Sequence, residues 1–266
     1  MKHPIRKDEM KFKDDIHVAL PWYIMEKYFD IAYSTGLNLE FGLSGDMLDG
    51  CEPEEFEKVA DMMKTKELTC TLHAPFFDLS SGALDSKILE ITRLRYKQTM
   101  DVAHILKPRC IVFHTGFSAH HYQGYLEHWF RKSLDTWKWA VGYAEKFELK
   151  LAVENVFDTN PSVLKKLISS VPHPLLGICL DAGHINVFSE VSVEEWFNEL
   201  GDKIFETHLH DNNGKYDEHS GIGTGTFDFQ KFFKLLWRDG TRPVLTIEAG
   251  NPKSVKESID YLMNQK

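Results

Sequence analysis

Residues 207–225, THLHDNNGKYDEHSGIGTG, hold three histidines, His208, His210 and His219, and two aspartates, Asp211 and Asp217, with glycines close behind. Imidazole and carboxylate at this density are metal-ligand chemistry. Mixed sets of the two suit zinc, manganese, iron or cobalt better than calcium. Groups of the same kind stand apart in the chain at His73, His114, Glu154, Asp181, His184 and Glu248. They form a site only if the fold gathers them.

The elements that would do so are visible as short apolar runs alternating with helical patterns. IHVAL (16–20), NLEFGL (38–43), ELTCTLHAP (67–75), CIVFHTG (110–116), LKLAVENV (149–156), LGICLDAGH (176–184), IFETHLHD (204–211) and PVLTIEAG (243–250) read as strands. The spacing predicts a helix ending near Gly36 and another opened by EPEEFEKVADMMK. Over 86–106, apolar residues recur at helical spacing from Ile88, Leu89, Ile91 and Leu94 to Met100, Val102, Ile105 and Leu106. A long amphipathic segment ends near Phe147. Asn160 and Pro161 open the next helix as N-cap and first-turn residue. A last helix runs from Pro252 to about Met263. Eight strands alternating with helices imply a parallel sheet closed on itself, a single (β/α)8 TIM barrel over residues 1–266. The rival, an open doubly wound sheet, is weakened because no G-x-G-x-x-G follows the first strand.

In such a barrel the C-terminal strand ends share one mouth. Strands three to eight end in His73, His114, Glu154, Asp181, His208 and Glu248. Each has a bland reading as a packing histidine or a helix cap. Together they would repel one another or lose hydration without return unless a cation compensated them. His184, three residues after Asp181, and the D-x-H pair Asp217 and His219 form a candidate second, outer metal site. Gly221, Gly223 and Gly225 would let that loop fold back over the mouth.

Composition narrows the field. The chain has 266 residues, 42% of them hydrophobic, and no stretch approaching the roughly 20 apolar residues of a membrane helix. Its charged start, MKHPIRKDEM, shows no apolar leader, so a cytoplasmic location is expected. The four cysteines, Cys51, Cys70, Cys110 and Cys179, make no C-x-x-C pair and read as free thiols in a reducing compartment. The formal charge of −9 disfavours nonspecific nucleic-acid binding, which needs a positive surface.

With these residues in place, LHAPFFDLS, IVFHTG, AVEN, CLDAGH, THLHD, DEHSGIGTG and TIEAG together resemble the xylose isomerase-like TIM-barrel superfamily from strand three to strand eight. That superfamily joins sugar isomerases and epimerases to endonuclease IV. The endonuclease branch implies three zinc ions. His73, His114 and Glu154 would hold one; Glu154, Asp181, His208 and Glu248 a second, bridged by Glu154; His184, Asp217 and His219 a third. The chain departs from that branch after strand five, where ENVFDTNPSVL replaces its glycine-rich, Asn- and Gln-containing motif, and no basic loop is evident to grip a duplex. The epimerase branch implies one divalent ion, manganese, cobalt or zinc, on Glu154, Asp181, His208 and Glu248, with His184 at a substrate-contacting position. It often carries an arginine in the loop after strand seven, where D-E-H stands here.

The resemblance thus implies a sugar or sugar-phosphate isomerase or epimerase acting on a small carbohydrate. Glu154 and Glu248 would be its catalytic pair, moving protons through a cis-enediolate. An endonuclease IV-like phosphodiester hydrolase is the alternative, and a non-catalytic metal- or sugar-binding barrel the third reading. Trp22, Phe76 and Asn155 are candidate pocket walls. The segment from Tyr122 to Phe147, with Trp129, Trp137 and Trp139, reads either as core or as the face of a homo-oligomer.

Overall fold

A computed structural model describes residues 15–238 and 240–264. The charged N-terminal stretch, and with it the reading of a missing leader, lies outside them. Eight strands, β1 (Ile16–Pro21), β2 (Asn38–Gly42), β3 (Cys70–His73), β4 (Ile111–His114), β5 (Leu151–Glu154), β6 (Leu176–Asp181), β7 (Ile204–Leu209) and β8 (Val244–Ile247), close into a barrel in chain order. All pairs are parallel, and β1 meets β8 with His17 opposite Thr246. The expected (β/α)8 architecture is the observed one. Barrel contents and outer helices cover both strand faces, so residues 111–113 and 151–153 are apolar throughout and fully buried.

The helices are α1 (Met25–Thr35), α2 (Gly45–Gly50), α3 (Pro53–Thr65), α4 (Ser86–Leu106), α5 (Leu126–Ala144), α6 (Ser162–Ser170), α7 (Ala182–Phe188), α8 (Val193–Leu200), α9 (Phe229–Leu236) and α10 (Pro252–Met263). Local chemistry sets their ends. α1 stops at Gly36, whose φ of 70° suits glycine. α3 opens at Pro53 behind a capping box in which the Glu52 N–H donates to Glu55 at 3.1 Å. α6 starts one residue later than the sequence suggests. The Asn160 carboxamide reaches across Pro161 to accept from the Ser162 N–H at 3.1 Å, making a turn that delays the helix.

The core between barrel and helices is aromatic, with Trp129, Trp137, Trp196, Phe229, Phe232 and Phe233 fully buried. Trp129 and Trp137 are therefore interior packing rather than parts of an oligomer face. Trp22 corrects another expectation: it is buried against Phe41 (5.3 Å) and Phe56 (4.9 Å) and lines neither cavity at the barrel mouth. The apolar stripe of α4 is buried only in its second half, around Met100, Val102 and Leu106; Ile88, Ile91 and Leu94 face outward. Cys70, Cys110 and Cys179 are buried free thiols, and burial pushes Cys70 up to about 12. Among the described residues, no helix is long and apolar enough to cross a membrane.

Candidate metal centre

The strand ends deliver the expected side chains to one mouth. His73, His114, Glu154 and Asp181 are the last residues of β3, β4, β5 and β6; His208 is next to last in β7, and Glu248 follows β8. Strand register sets His114 beside Glu154 and Asp181 beside His208. The Glu154 carboxylate stands at the centre. Its Oε2 lies 3.2 Å from His73 Nε2 and 3.0 Å from His114 Nε2. Its Oε1 lies 3.5 Å from His208 Nδ1, which also has Glu248 Oε2 at 3.5 Å and Asp181 Oδ2 at 3.8 Å.

His208 Nδ1 is buried and has no hydrogen-bond partner among the described residues. Ligands about 2.0–2.2 Å from a tetrahedral zinc stand roughly 3.3–3.6 Å from one another. One unpartnered nitrogen faced by three carboxylates at that spacing fits a small divalent ion. The outer set has the same spacing: His184 Nε2 and His219 Nε2 lie 3.3 Å and 3.2 Å from Asp217 Oδ2.

Neighbouring groups set the imidazole tautomers. The Nδ1 atoms of His73, His184 and His219 lie 2.9, 2.9 and 2.8 Å from the carbonyls of Ala74, Asn155 and Glu248. A proton on each Nδ1 leaves the Nε2 lone pair facing the centre. His208 is the reverse. Its Nε2 lies 3.3 Å from Glu40 Oε2, which assigns the proton there and frees Nδ1. Glu40, fully buried in β2, was not anticipated; its signal is an ionisable residue between the apolar Leu39 and Phe41.

His210 was also passed over, although alternation in THLHD sets it on the face of β7 that His208 occupies. Its Nε2 lies 3.2 Å from Asp181 Oδ2, its ring stacks on His219 at 3.9 Å, and its buried Nδ1 has Asp217 Oδ1 at 3.7 Å but no hydrogen-bond partner among the described residues. Gly183 makes the room, since a Cβ there would come within 2.0 Å of the His210 ring. Asn155 is corrected from pocket wall to strut. Its side chain donates to the Asp181 carbonyl at 3.1 Å and accepts from the Asp181 N–H at 2.8 Å.

Asp211 ties down the loop carrying Asp217 and His219. Its Oδ2 accepts from the N–H groups of Gly223 (3.0 Å) and Gly225 (2.8 Å), its Oδ1 from Phe227 (3.2 Å). Gly225 is required there, because a Cβ would meet the Asn212 carbonyl at 2.2 Å.

Most of the cluster favours positive charge; His114 is the exception, where burial outweighs the Glu154 carboxylate and lowers the imidazole below its ordinary value. Burial works to raise the Glu154 carboxyl, but the charges of His114 and His208 outweigh it and hold it well below the usual range. Burial works against the His184 and His208 cations, yet the surrounding anions lift both well above the ordinary histidine value. His73 and His219 rise to about 9 against the same burial. The mouth is a field that gathers positive charge, and a divalent ion satisfies it without imidazolium.

A cavity of about 650 Å³ opens above the cluster, floored by His73, His114, Glu154, His184, Asp217, His219 and Glu248. Phe76, Phe77, Phe117, Phe157 and Phe188 wall it. Phe76, expected as a wall, stacks on His114 at 4.4 Å. Among the described residues, no lysine or arginine lines this cavity.

Residues 35–265 match the family described as xylose isomerase-like TIM barrel. The uncharacterized protein MJ1311 of Methanocaldococcus jannaschii is 26% identical over 217 residues, covering 79% of this chain and 74% of that protein. The crystal structure of a D-tagatose 3-epimerase-like protein superposes with a TM-score of 0.80 at 22% identity, over 92% of this chain and 95% of the other. The TTHB071 protein of Thermus thermophilus, soaked with zinc chloride, gives 0.78 at 22% identity, over 93% and 96%.

Proposed function

The chain belongs to the xylose isomerase-like TIM-barrel family, and from that premise we propose that it is a divalent-metal-dependent isomerase or epimerase of sugars. One observation carries the reading: buried His208 Nδ1, without a hydrogen-bond partner, faces the carboxylates of Glu154, Asp181 and Glu248 at 3.5–3.8 Å. Likeness to an epimerase-like fold supports it.

Glu154, Asp181, His208 and Glu248 would hold the ion, zinc, manganese or cobalt. When bound, it supplies Lewis-acid polarisation of a sugar carbonyl and its neighbouring hydroxyl. Glu154 and Glu248 flank the position between them. One takes the proton from the carbon next to the carbonyl, and the C–H electron pair passes into the enediolate. The other returns a proton to the carbon. Phe76, Phe117 and Phe188 keep water from that intermediate, and His184 reaches the same space to bind a hydroxyl.

A second reading has its own observation. The two oxygens of Glu154 face different histidine sets, and His184, Asp217 and His219 form a third group at ligand spacing. With every set filled, Glu154 has no free oxygen to act as a base. The centre then suits phosphodiester hydrolysis of the endonuclease IV type. The aromatic walls, and a cavity lining without lysine or arginine among the described residues, favour the sugar.

Solvent deuterium exchange decides between the two. Metal-loaded protein should wash deuterium into the carbon next to the carbonyl of its substrate within a panel of ketoses, and Glu154→Gln and Glu248→Gln should each abolish the exchange. Exchange at the wild-type rate in both variants overturns the proton-transfer roles. Metal-dependent cleavage of an abasic-site duplex, with no exchange on any sugar, selects the hydrolase.

A further inference from the structure

The cavity over the ligand cluster is half of a longer trough. A second cavity of about 630 Å³ lies beside it over the ends of β1 and β2, and both share His73, Phe76, Phe77, Asp78, Leu79 and Glu248. Phe77 stands where the two meet, 81% exposed, its ring 4.4 Å from that of Phe76. Tyr23, Ile88 and Ile91 also line the second lobe, at 78%, 43% and 44% exposure. Ile88 and Ile91 sit one turn apart on α4, in the half whose apolar stripe is turned away from the core. A contiguous exposed apolar patch rimmed by polar residues marks an interaction surface, ligand grooves among them.

Size and charge say what the second lobe takes. Either lobe alone lies within the roughly 300–1,000 Å³ of a pocket that holds one drug-sized ligand. A single sugar ring on the metal-ligand cluster leaves the other lobe open. The charged groups of the second lobe are Glu40, Asp46, Asp78, Glu248 and Arg95, besides His73. Asp49 already grips the Arg95 guanidinium through both oxygens, at 2.5 and 2.8 Å. A phosphoryl tail, with about −1.5 to −2 charges, would meet carboxylates and no uncommitted cation among these residues.

We propose that the substrate is an uncharged glycoside. Its reacting sugar lies over Glu154 and Glu248, and its aglycone, a ring with an apolar face, crosses Phe77 to lie against Tyr23, Ile88 and Ile91. This rests on the isomerase or epimerase reading and narrows it. A glycosidic bond locks the anomeric carbon, so ring opening to a free aldehyde is closed. The carbonyl that acidifies the reacting C–H is then a ketone already in the ring, and the reaction is epimerisation at the adjacent carbon. One C–H breaks, one C–H forms on the opposite face, and no oxidant or reductant enters.

The test is binding to metal-loaded protein by titration calorimetry and saturation-transfer NMR. The probes are ring-ketone forms of the para-nitrophenyl glycosides of glucose, galactose and mannose in both anomers, the parent keto-hexoses, and their phosphates. At least one aryl glycoside should bind about tenfold or more tightly than its parent hexose, from burial of the aryl ring. Ile91→Glu and Ile88→Glu, at exposed helical positions that leave folding and melting intact, should each bring that ratio toward one. A wild-type ratio near one for every pair overturns the proposal. So does a ratio that survives both substitutions, or a hexose phosphate that binds more tightly than any aryl glycoside. If no carbohydrate binds at all, the sugar reading of the centre fails and the glycoside falls with it; a ratio near one with measurable hexose binding fails the glycoside alone.

Discussion

Two buried polar clusters lie one above the other in this barrel, and the upper one leaves two histidine nitrogens without hydrogen-bond partners among the described residues. The lower cluster sits two residues back along the strands: Thr71 below His73, Glu206 below His208, Thr246 below Glu248, with Glu40 beside them. The protein serves Glu206 through several donors and Glu40 through one oxygen, while Glu40 Oε1 is buried without a hydrogen-bond partner among the described residues. The Thr71 hydroxyl lies 3.2 Å from Glu40 and 3.1 Å from Glu206, Cys110 Sγ donates to Glu206 at 2.9 Å, and the Thr246 hydroxyl donates to Glu206 as well. Burial, with the Glu40 charge adding to it, pushes the Glu206 carboxyl up to about 8, so it keeps its own proton at neutral pH. The upper cluster is equally buried at Glu154, Asp181 and His208, but His208 Nδ1 and His210 Nδ1 are without hydrogen-bond partners among the described residues. Burial alone therefore does not mark a site. Ring nitrogens left without a donor and faced by several carboxylates do, and a cation would satisfy them. Glu40 joins the two, with Oε2 near both Thr71 and His208.

The comparison breaks first at Glu154. Glu154→Gln should lower turnover by about a thousandfold, in the range of a lost general base, and empty the metal centre, with the fold retained by circular dichroism. A variant that keeps metal and turnover removes the upper cluster from the chemistry.

The lower region should answer to pH instead. Burial foremost pushes His17, beneath the lower cluster on β1, down from 6.5 to about 4. Above pH 6.5 it is neutral in both folded and unfolded chains. As pH falls below that, the unfolded chain takes a proton that the folded one refuses until about 4. Stability worth up to about 3 kcal/mol is therefore lost over this window. Urea unfolding at pH 7 and pH 4.5 should show wild type losing more than His17→Gln; equal losses contradict the assignment.

Glu40 sharpens the link between the clusters. Glu40→Gln should weaken metal affinity about ten- to a hundredfold, read by competition with a chelating dye, because the anion that fixes the His208 tautomer is gone. Undiminished affinity would leave Glu40 to the lower cluster alone. Smallest is Thr71→Val, which removes a hydroxyl lying between Glu40 and Glu206. It should cost about 1–2 kcal/mol in unfolding with metal content unchanged, and a loss of metal would show that the clusters are not separable.

Much of this was legible before any coordinates. Eight strands, their parallel closure and the gathering of six strand-end groups follow from apolar runs that stop at His73, His114, Glu154, Asp181, His208 and Glu248, because strand ends in a barrel share a mouth. Glu40 escaped because it lies inside its strand, where only the barrel interior makes a carboxylate meaningful. His210 escaped because its room comes from Gly183, twenty-seven residues earlier, and such pairing is a property of closure rather than of spacing. Trp22 and Asn155 failed as pocket walls for a related reason: aromatic or amide character near a strand end says nothing of direction. In the structure Trp22 turns to Phe41 and Phe56, and Asn155 turns to the Asp181 backbone.

The most direct test of the metal centre is elemental mass spectrometry on protein loaded in turn with zinc, manganese and cobalt and dialysed against metal-free buffer. The account predicts one or more retained divalent ions per chain, falling in Glu154→Gln and unchanged in Thr71→Val. One ion supports the sugar chemistry, and three, mostly zinc, shift it toward the hydrolase. A folded wild-type chain that retains no ion of any of the three metals contradicts the account.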